Sequence, residues 1–122
     1  MAKRILIADD EVHIRKILSL AFTKAGYEVV SCQDGKEAIA AIEKGAIDLV
    51  ITDLMMPEVN GYEVIERLKR DKGTRDIPAI VLTALGQNDD LLKAKEAGAD
   101  LVITKPFSPK KIVEMVEAML KQ

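Results

Sequence analysis

The chain has 122 residues, 48% of them hydrophobic and 31% charged, with a formal net charge of -2. That length fits one domain over residues 1–122, large enough to bury about two-thirds of its unfolded surface, and the balance is globular rather than disordered or fibrous. A slightly acidic chain without a basic tail argues against direct nucleic-acid binding, which rests on many Lys and Arg contacts to phosphate.

The first element is "KRILIAD" (3–9), a strand whose apolar run is too short for a signal-peptide core or a membrane span. The expectation is therefore a cytoplasmic protein with no membrane contact. "EVHIRKILSLAFTKAG" follows, with Ile14, Ile17, Leu18, Ala21, Phe22 and Ala25 at helical spacing and Gly26 as the stop. "YEVVSC" reads as the second strand, and "DGKEAIAAIEKG" as a helix with Ala38, Ile39 and Ile42 on one face and Gly45 at its end. "IDLVITD" is the third strand, and the loop after it leads to a helix from about Gly61 to Arg70 whose Val64, Ile65 and Leu68 share a face. After the polar "DKGTRD" comes the strand "IPAIVLT", then a helix in "NDDLLKAKEAG" and the strand "ADLVITK". A last helix from Ser108 places Ile112, Val113, Val116, Met119 and Leu120 toward the core.

Near-continuous apolar strands alternating with helices predict an α/β fold, a doubly wound parallel sheet with helices on both faces and right-handed crossovers. In such a sheet ligands bind at the carboxyl ends of the strands. Four of the five strands close on a polar group there: Asp9 and Asp10 after "ILIA", Asp53 after "LVIT", Thr83 after "AIVL", and Lys105 after the second "LVIT". Three carboxylates on one rim repel each other unless they bind protons, pair with Lys105 or share a cation. Mg2+, which takes oxygen ligands and is held by one or two carboxylates together with a phosphate, answers that repulsion. The rim therefore points to phosphoryl chemistry, with one carboxylate as nucleophile.

"ADDE", "DLMMPEVNG", "LTA" and "TKPF", in this order and spacing, resemble the receiver domain of bacterial two-component response regulators, of the chemotaxis-type single-domain kind. The resemblance covers the whole chain and implies a five-stranded flavodoxin-like sheet of order 2-1-3-4-5. It implies phosphorylation of Asp53 by a sensor histidine kinase or phosphotransfer protein, with Mg2+ held by Asp9, Asp10, Asp53 and the main-chain carbonyl of Met55. Thr83 would bond a phosphoryl oxygen, Lys105 would pair with the phosphoryl group, and Pro106 would follow a cis bond. The same resemblance implies a switch that catalyses only its own phosphotransfer and slow self-dephosphorylation. Its output face would run over the fourth helix, the fifth strand and the last helix, with the loop from Ala84 to Asn88 as reporter and an unidentified downstream effector. The protein would be a monomer or a weak phosphorylation-dependent dimer.

Two other functions fit parts of this pattern. A Mg2+-dependent phosphatase with an Asp nucleophile would want a second Asp two residues after Asp53, where this chain has Met55. A flavin module would have to place phosphate against "DDE", where acids repel it. Single residues have plainer readings: Cys32 as a packed apolar side chain, His13 as a solvated helix residue, and Met55 with Met56 as packing rather than a soft-metal site. Two departures from the family pattern stand out. Val102, three residues before Lys105, occupies a position that is often aromatic, and the last helix has Lys but no Arg. Met55 and Leu85, two residues after Asp53 and Thr83, are apolar and predict slow loss of phosphate, because neither can orient an attacking water.

Overall fold

Strand and helix alternate five times: β1 (Arg4–Ala8), α1 (Val12–Lys24), β2 (Glu28–Cys32), α2 (Gly35–Lys44), β3 (Leu49–Asp53), α3 (Gly61–Arg70), β4 (Ala79–Thr83), α4 (Asn88–Ala97), β5 (Leu101–Thr104) and α5 (Pro109–Leu120). The computed structural model describes residues 2–83 and 88–121. All strand pairings are parallel, in the order β2-β1-β3-β4-β5, the flavodoxin-like arrangement that the family resemblance implied. Every residue of the inner strands β3 and β4 is buried, whereas the edge strands β2 and β5 are partly exposed.

Because successive strand residues point to opposite faces, the apolar runs split into two cores. Ile5, Ile7, Leu49, Ile51, Ile80 and Leu82 pack with Leu18 and Phe22 of α1 and with Ile112, Val113 and Val116 of α5. Leu6, Ala8, Val50, Ala79 and Val81 pack on the other side with α2, α3 and Ala94 of α4. Each fully buried Leu or Ile contributes roughly 1.5–3 kcal/mol, so the sheet is held chiefly by this double burial. Among the described residues, no helix is long and apolar enough to cross a membrane.

Helix starts follow local chemistry. Asp34, Asn60 and Ser108 accept the Glu37, Glu63 and Lys111 amides at 2.8, 3.1 and 3.3 Å, satisfying first-turn donors of α2, α3 and α5. Glu11, which precedes α1, makes no such side-chain cap. Gly61 opens α3 directly against the end of β3: any Cβ there would collide with the Asp53 carbonyl oxygen. The absent side chain lets α3 begin where Asp53 ends.

Two residues depart from the expected core face of α1. Ile17 is 45% exposed, and Ala25 is exposed at the end of the helix. Neighbouring helix residues are roughly 100° apart, so with Leu18 and Phe22 at the centre of the buried stripe, Ile17 is carried out toward solvent. Met119 and Leu120 are likewise only partly buried, near the end of α5.

Candidate functional site

Parallel register brings the rim together. Ala8 is level with Thr52, Asp53 with Leu82, and Thr83 with Thr104, so the residues at and just beyond these strand ends emerge side by side. Asp9, Asp10 and Asp53 each offer a carboxylate oxygen, and the three oxygens lie within 4.8 Å of one another. Asp9 is fully buried and Asp53 only 6% exposed, while Asp10 faces solvent.

Asp9 is fixed from several directions. Its amide donates to the Cys32 carbonyl at 3.1 Å, and its Oδ1 accepts the Glu11 amide at 2.9 Å. Arg15, in the first turns of α1, donates from Nη1 to the Asp9 carbonyl at 2.7 Å. Lys105 follows β5, and the bond from it to Pro106 is cis, as the resemblance implied. The Lys105 amide donates to the Thr83 carbonyl at 2.8 Å, and its Nζ reaches Asp53 Oδ2 at 3.2 Å, Asp9 Oδ2 at 3.3 Å and Glu11 Oε2 at 3.4 Å. One ammonium thus serves three carboxylates, with Asp10 beside them.

The electrostatics follow from that imbalance. Burial raises the pKa of Asp53, and the neighbouring Asp9 charge raises it further, against the opposing pull of Lys105 and the Met55 amide. Burial likewise raises that of Asp9, opposed by the Glu11 amide and Lys105. For Lys105, burial works to lower the pKa, but the Asp53 and Asp9 charges outweigh it and hold the ammonium above its ordinary range. The pocket thus gathers more carboxylate charge than Lys105 alone balances. Its donors are carboxylate oxygens, suited to a hard divalent ion.

Thr83 ends β4 and is buried at the same rim. The Met55 amide donates to Asp53 Oδ1 at 3.4 Å, while the Met55 side chain is 70% exposed. The Leu85 position and most of the loop from Ala84 to Asn88 lie outside the described residues. Cys32 is buried, with burial raising its thiol pKa to about 11 and the charges of Glu37 and Asp34 adding to the rise, so it is packing rather than a reactive thiol. His13 is exposed. Met56 is buried, but Met55 is not, so only one of the pair packs. Sequence reasoning missed the two residues that tie the acid pair to its surroundings, Glu11 on Lys105 and Arg15 on the Asp9 carbonyl. Arg15 lies six residues after Asp9, but the residues between β1 and α1 are not helical, so no period of the sequence signals this contact.

Fold and rim together define a class: a flavodoxin-like α/β domain with a buried carboxylate cluster and a lysine where such sheets bind their ligands. Comparison with known proteins narrows it. The chain matches the family of the response regulator receiver domain over residues 5–117, and it belongs to that family, the receiver domains of two-component systems. The phosphate regulon transcriptional regulatory protein PhoB of Pseudomonas aeruginosa is 43% identical over 122 residues, which are 100% of this chain and 53% of that protein. The chain thus spans about half the length of the curated relatives it matches. Among solved structures, chemotaxis protein CheY4 of Vibrio cholerae superposes with a TM-score of 0.91 at 29% identity, covering 98% of this chain and 100% of that one. A CheY-like receiver domain protein of Methanospirillum hungatei has a TM-score of 0.91 at 28% identity, over 98% of this chain and 94% of its own. Receiver membership does not favour the phosphatase alternative.

Proposed function

We propose that residues 1–122 form one receiver domain acting in the cytoplasm, in which Asp53 accepts a phosphoryl group from a sensor histidine kinase or phosphotransfer protein. The observation that carries this reading is the Lys105 ammonium shared among Asp53, Asp9 and Glu11 beside the Asp10 carboxylate. Asp9, Asp10, Asp53 and the Met55 carbonyl would hold Mg2+, which when bound supplies charge neutralisation at the phosphoryl oxygens.

An Asp53 carboxylate oxygen attacks phosphorus, and the new P–O bond forms as the P–N bond to the donor imidazole breaks, the electron pair staying on that nitrogen while the proton already on the other ring nitrogen makes the leaving imidazole neutral. Lys105 follows the negative charge from the Asp53 carboxylate to the phosphoryl oxygens. Thr83 donates its hydroxyl to one of those oxygens. The resulting shift between preexisting states alters the surface of α4, β5 and α5, where an effector reads it. The Met55 side chain offers no hydrogen bond to place a water behind phosphorus, so the chain's own hydrolysis is slow.

The test is incubation with acetyl phosphate and Mg2+ followed by intact-mass and peptide-level mass spectrometry. The wild type gains a single phosphoryl group on Asp53, and EDTA or Asp53→Asn removes that gain. Full phosphorylation of the Asn variant would refute the assignment.

A further inference from the structure

Between α2 and the β2 edge of the sheet lies a groove of about 470 Å3. Val30 and Cys32 of β2, Ala40 and Ala41 of α2, and Ile47 form its apolar wall. Cys32 and Ile47 are buried members of the core on that face, and Val30 and Ala41 pack against it. The α2 side is the stripe Glu37, Ala40, Ala41 and Lys44, spaced i, i+3, i+4 and i+7. Because α2 runs back along the parallel strands, its last residue, Lys44, and the first residue of β1, Arg4, line the same end of the groove. Glu37 stands at the other end, about 10.5 Å away along the helix.

The two ends differ in what their charges already hold. Glu37 accepts the Gln33 amide at 2.9 Å. Among the described residues, neither Arg4 nor Lys44 makes an ion pair. Glu28 is level with Arg4 in the β1–β2 register without pairing with it, and the Asp48 carboxylate accepts the Arg4 main-chain amide at 2.8 Å. The chain beside these cations is strained: Gly45 has a φ of 89° and Ala46, which carries a Cβ, a φ of 64°. Among the described residues, nothing accepts the Ala46 and Ile47 amides. One end of an apolar groove thus gathers two cations and two main-chain donors with nothing to hold.

We propose that this groove binds a small organic anion, a carboxylate with an unbranched apolar body. The head lies between Arg4 and Lys44 against the Ala46 and Ile47 amides, and the body runs along Val30, Ala40 and Ala41 toward Glu37. Charge complementarity selects this class: with Glu37 already bonded, the unspent charge of the groove has one sign. A purely polar anion would leave the apolar wall to water, and an uncharged apolar ligand would leave the cations unanswered. The carbonyl end of α2 works against an anion, and the two cations and two amides oppose it. The volume lies within the range of small-molecule sites, about 300–1,000 Å3. The cationic end is at the amino-terminal ends of the strands, opposite the Asp53 rim, so binding requires no phosphate on Asp53.

Titration of the 15N-labelled full chain with octanoate, followed by amide chemical shifts, tests the proposal. The amides of Val30, Ala40, Ala41, Ala46 and Ile47 are expected to shift saturably, with a dissociation constant of about 1 mM for a ligand of this size. Acetate, which has the head alone, and octylammonium, which has the same tail with the opposite charge, are expected to leave them in place. Lys44→Glu is expected to weaken octanoate binding about tenfold and Arg4→Gln about fivefold. The dispersion of each variant's amide spectrum establishes that it is folded, and the wild-type comparison of the three probes stands without the variants. Absence of a saturable shift, an equal response to octylammonium, or an affinity unchanged in both variants would each overturn the proposal. Shifts of the same amides that grow with protein concentration alone would assign the groove to a second copy of the chain and overturn it as well.

Discussion

Two lysines anchor ion clusters at opposite ends of the sheet, and their surroundings differ in one respect. At the amino-terminal ends of the strands, Lys69 Nζ donates to the Arg75 carbonyl at 3.1 Å, the Ile77 carbonyl at 2.7 Å and Asp100 Oδ2 at 3.2 Å. Asp100 also accepts the Ala79 amide at 2.8 Å, so that cluster has one cation, one carboxylate and its polar atoms satisfied. At the carboxyl-terminal ends, Lys105 faces Asp9, Asp53 and Glu11, with Asp10 alongside. The balanced end closes the α3–β4 and α4–β5 connections; the unbalanced end is held in place by the two cores despite its charge. Surplus negative charge gathered on one rim, with carboxylate oxygens within 4.8 Å of one another, is an arrangement that could bind a metal ion.

The largest expected effect belongs to the unbalanced end. Mg2+ at a hundredfold excess over its dissociation constant should stabilise the wild type by about 2.7 kcal/mol, read as a rise in Tm over the same protein in EDTA. Asp9→Asn should remove most of that rise. At the balanced end, Lys69→Met leaves a carboxylate and two carbonyls without their ammonium and should lower stability by about 2 kcal/mol, because the pair is only partly buried. Mg2+ should leave this loss unchanged, which urea unfolding in both conditions would check. Asp100→Asn keeps an acceptor for the Ala79 amide and forfeits the charge, and should cost about 1 kcal/mol. Smallest of all, Met55→Asn should shorten the phosphorylated lifetime a few-fold by orienting a water, followed by phosphoprotein decay after donor removal; an unchanged decay would show that water placement is not limiting.

The same comparison separates what the sequence discloses from what it conceals. β3 and β4 are legible as unbroken apolar runs because both their faces are buried, and Gly26 and Gly45 mark helix ends by their positive φ of 96° and 89°. Asp9, Asp10, Asp53, Thr83 and Lys105 are legible as a set because parallel topology turns strand ends into neighbours. Glu11 was visible only as part of an acidic run; that its carboxylate reaches Lys105, 94 residues away, depends on side-chain reach across the finished rim. The Lys69 and Asp100 cluster joins residues 31 apart through loop carbonyls, and no local period encodes it. Exposure of Ile17 shows another limit: helical spacing gives the direction of a stripe, and the width that the sheet covers is set by tertiary packing.

The sign of one substitution in two solutions tests the surplus-charge account most directly. In EDTA at neutral pH, Asp53→Asn removes a buried carboxylate that repels Asp9 and should melt about 4 °C above the wild type, as ~1 kcal/mol of relieved repulsion gives in a domain of this size. Burial and Asp9 raise the folded-state pKa of Asp53 above its unfolded value, so the native state binds more protons through that window. As pH falls through it, the wild type gains stability and the advantage of the variant should shrink. With saturating Mg2+ at neutral pH the order should reverse, the wild type melting higher. An Asp53→Asn variant that melts below the wild type in EDTA, or an order unchanged by Mg2+, would contradict the account.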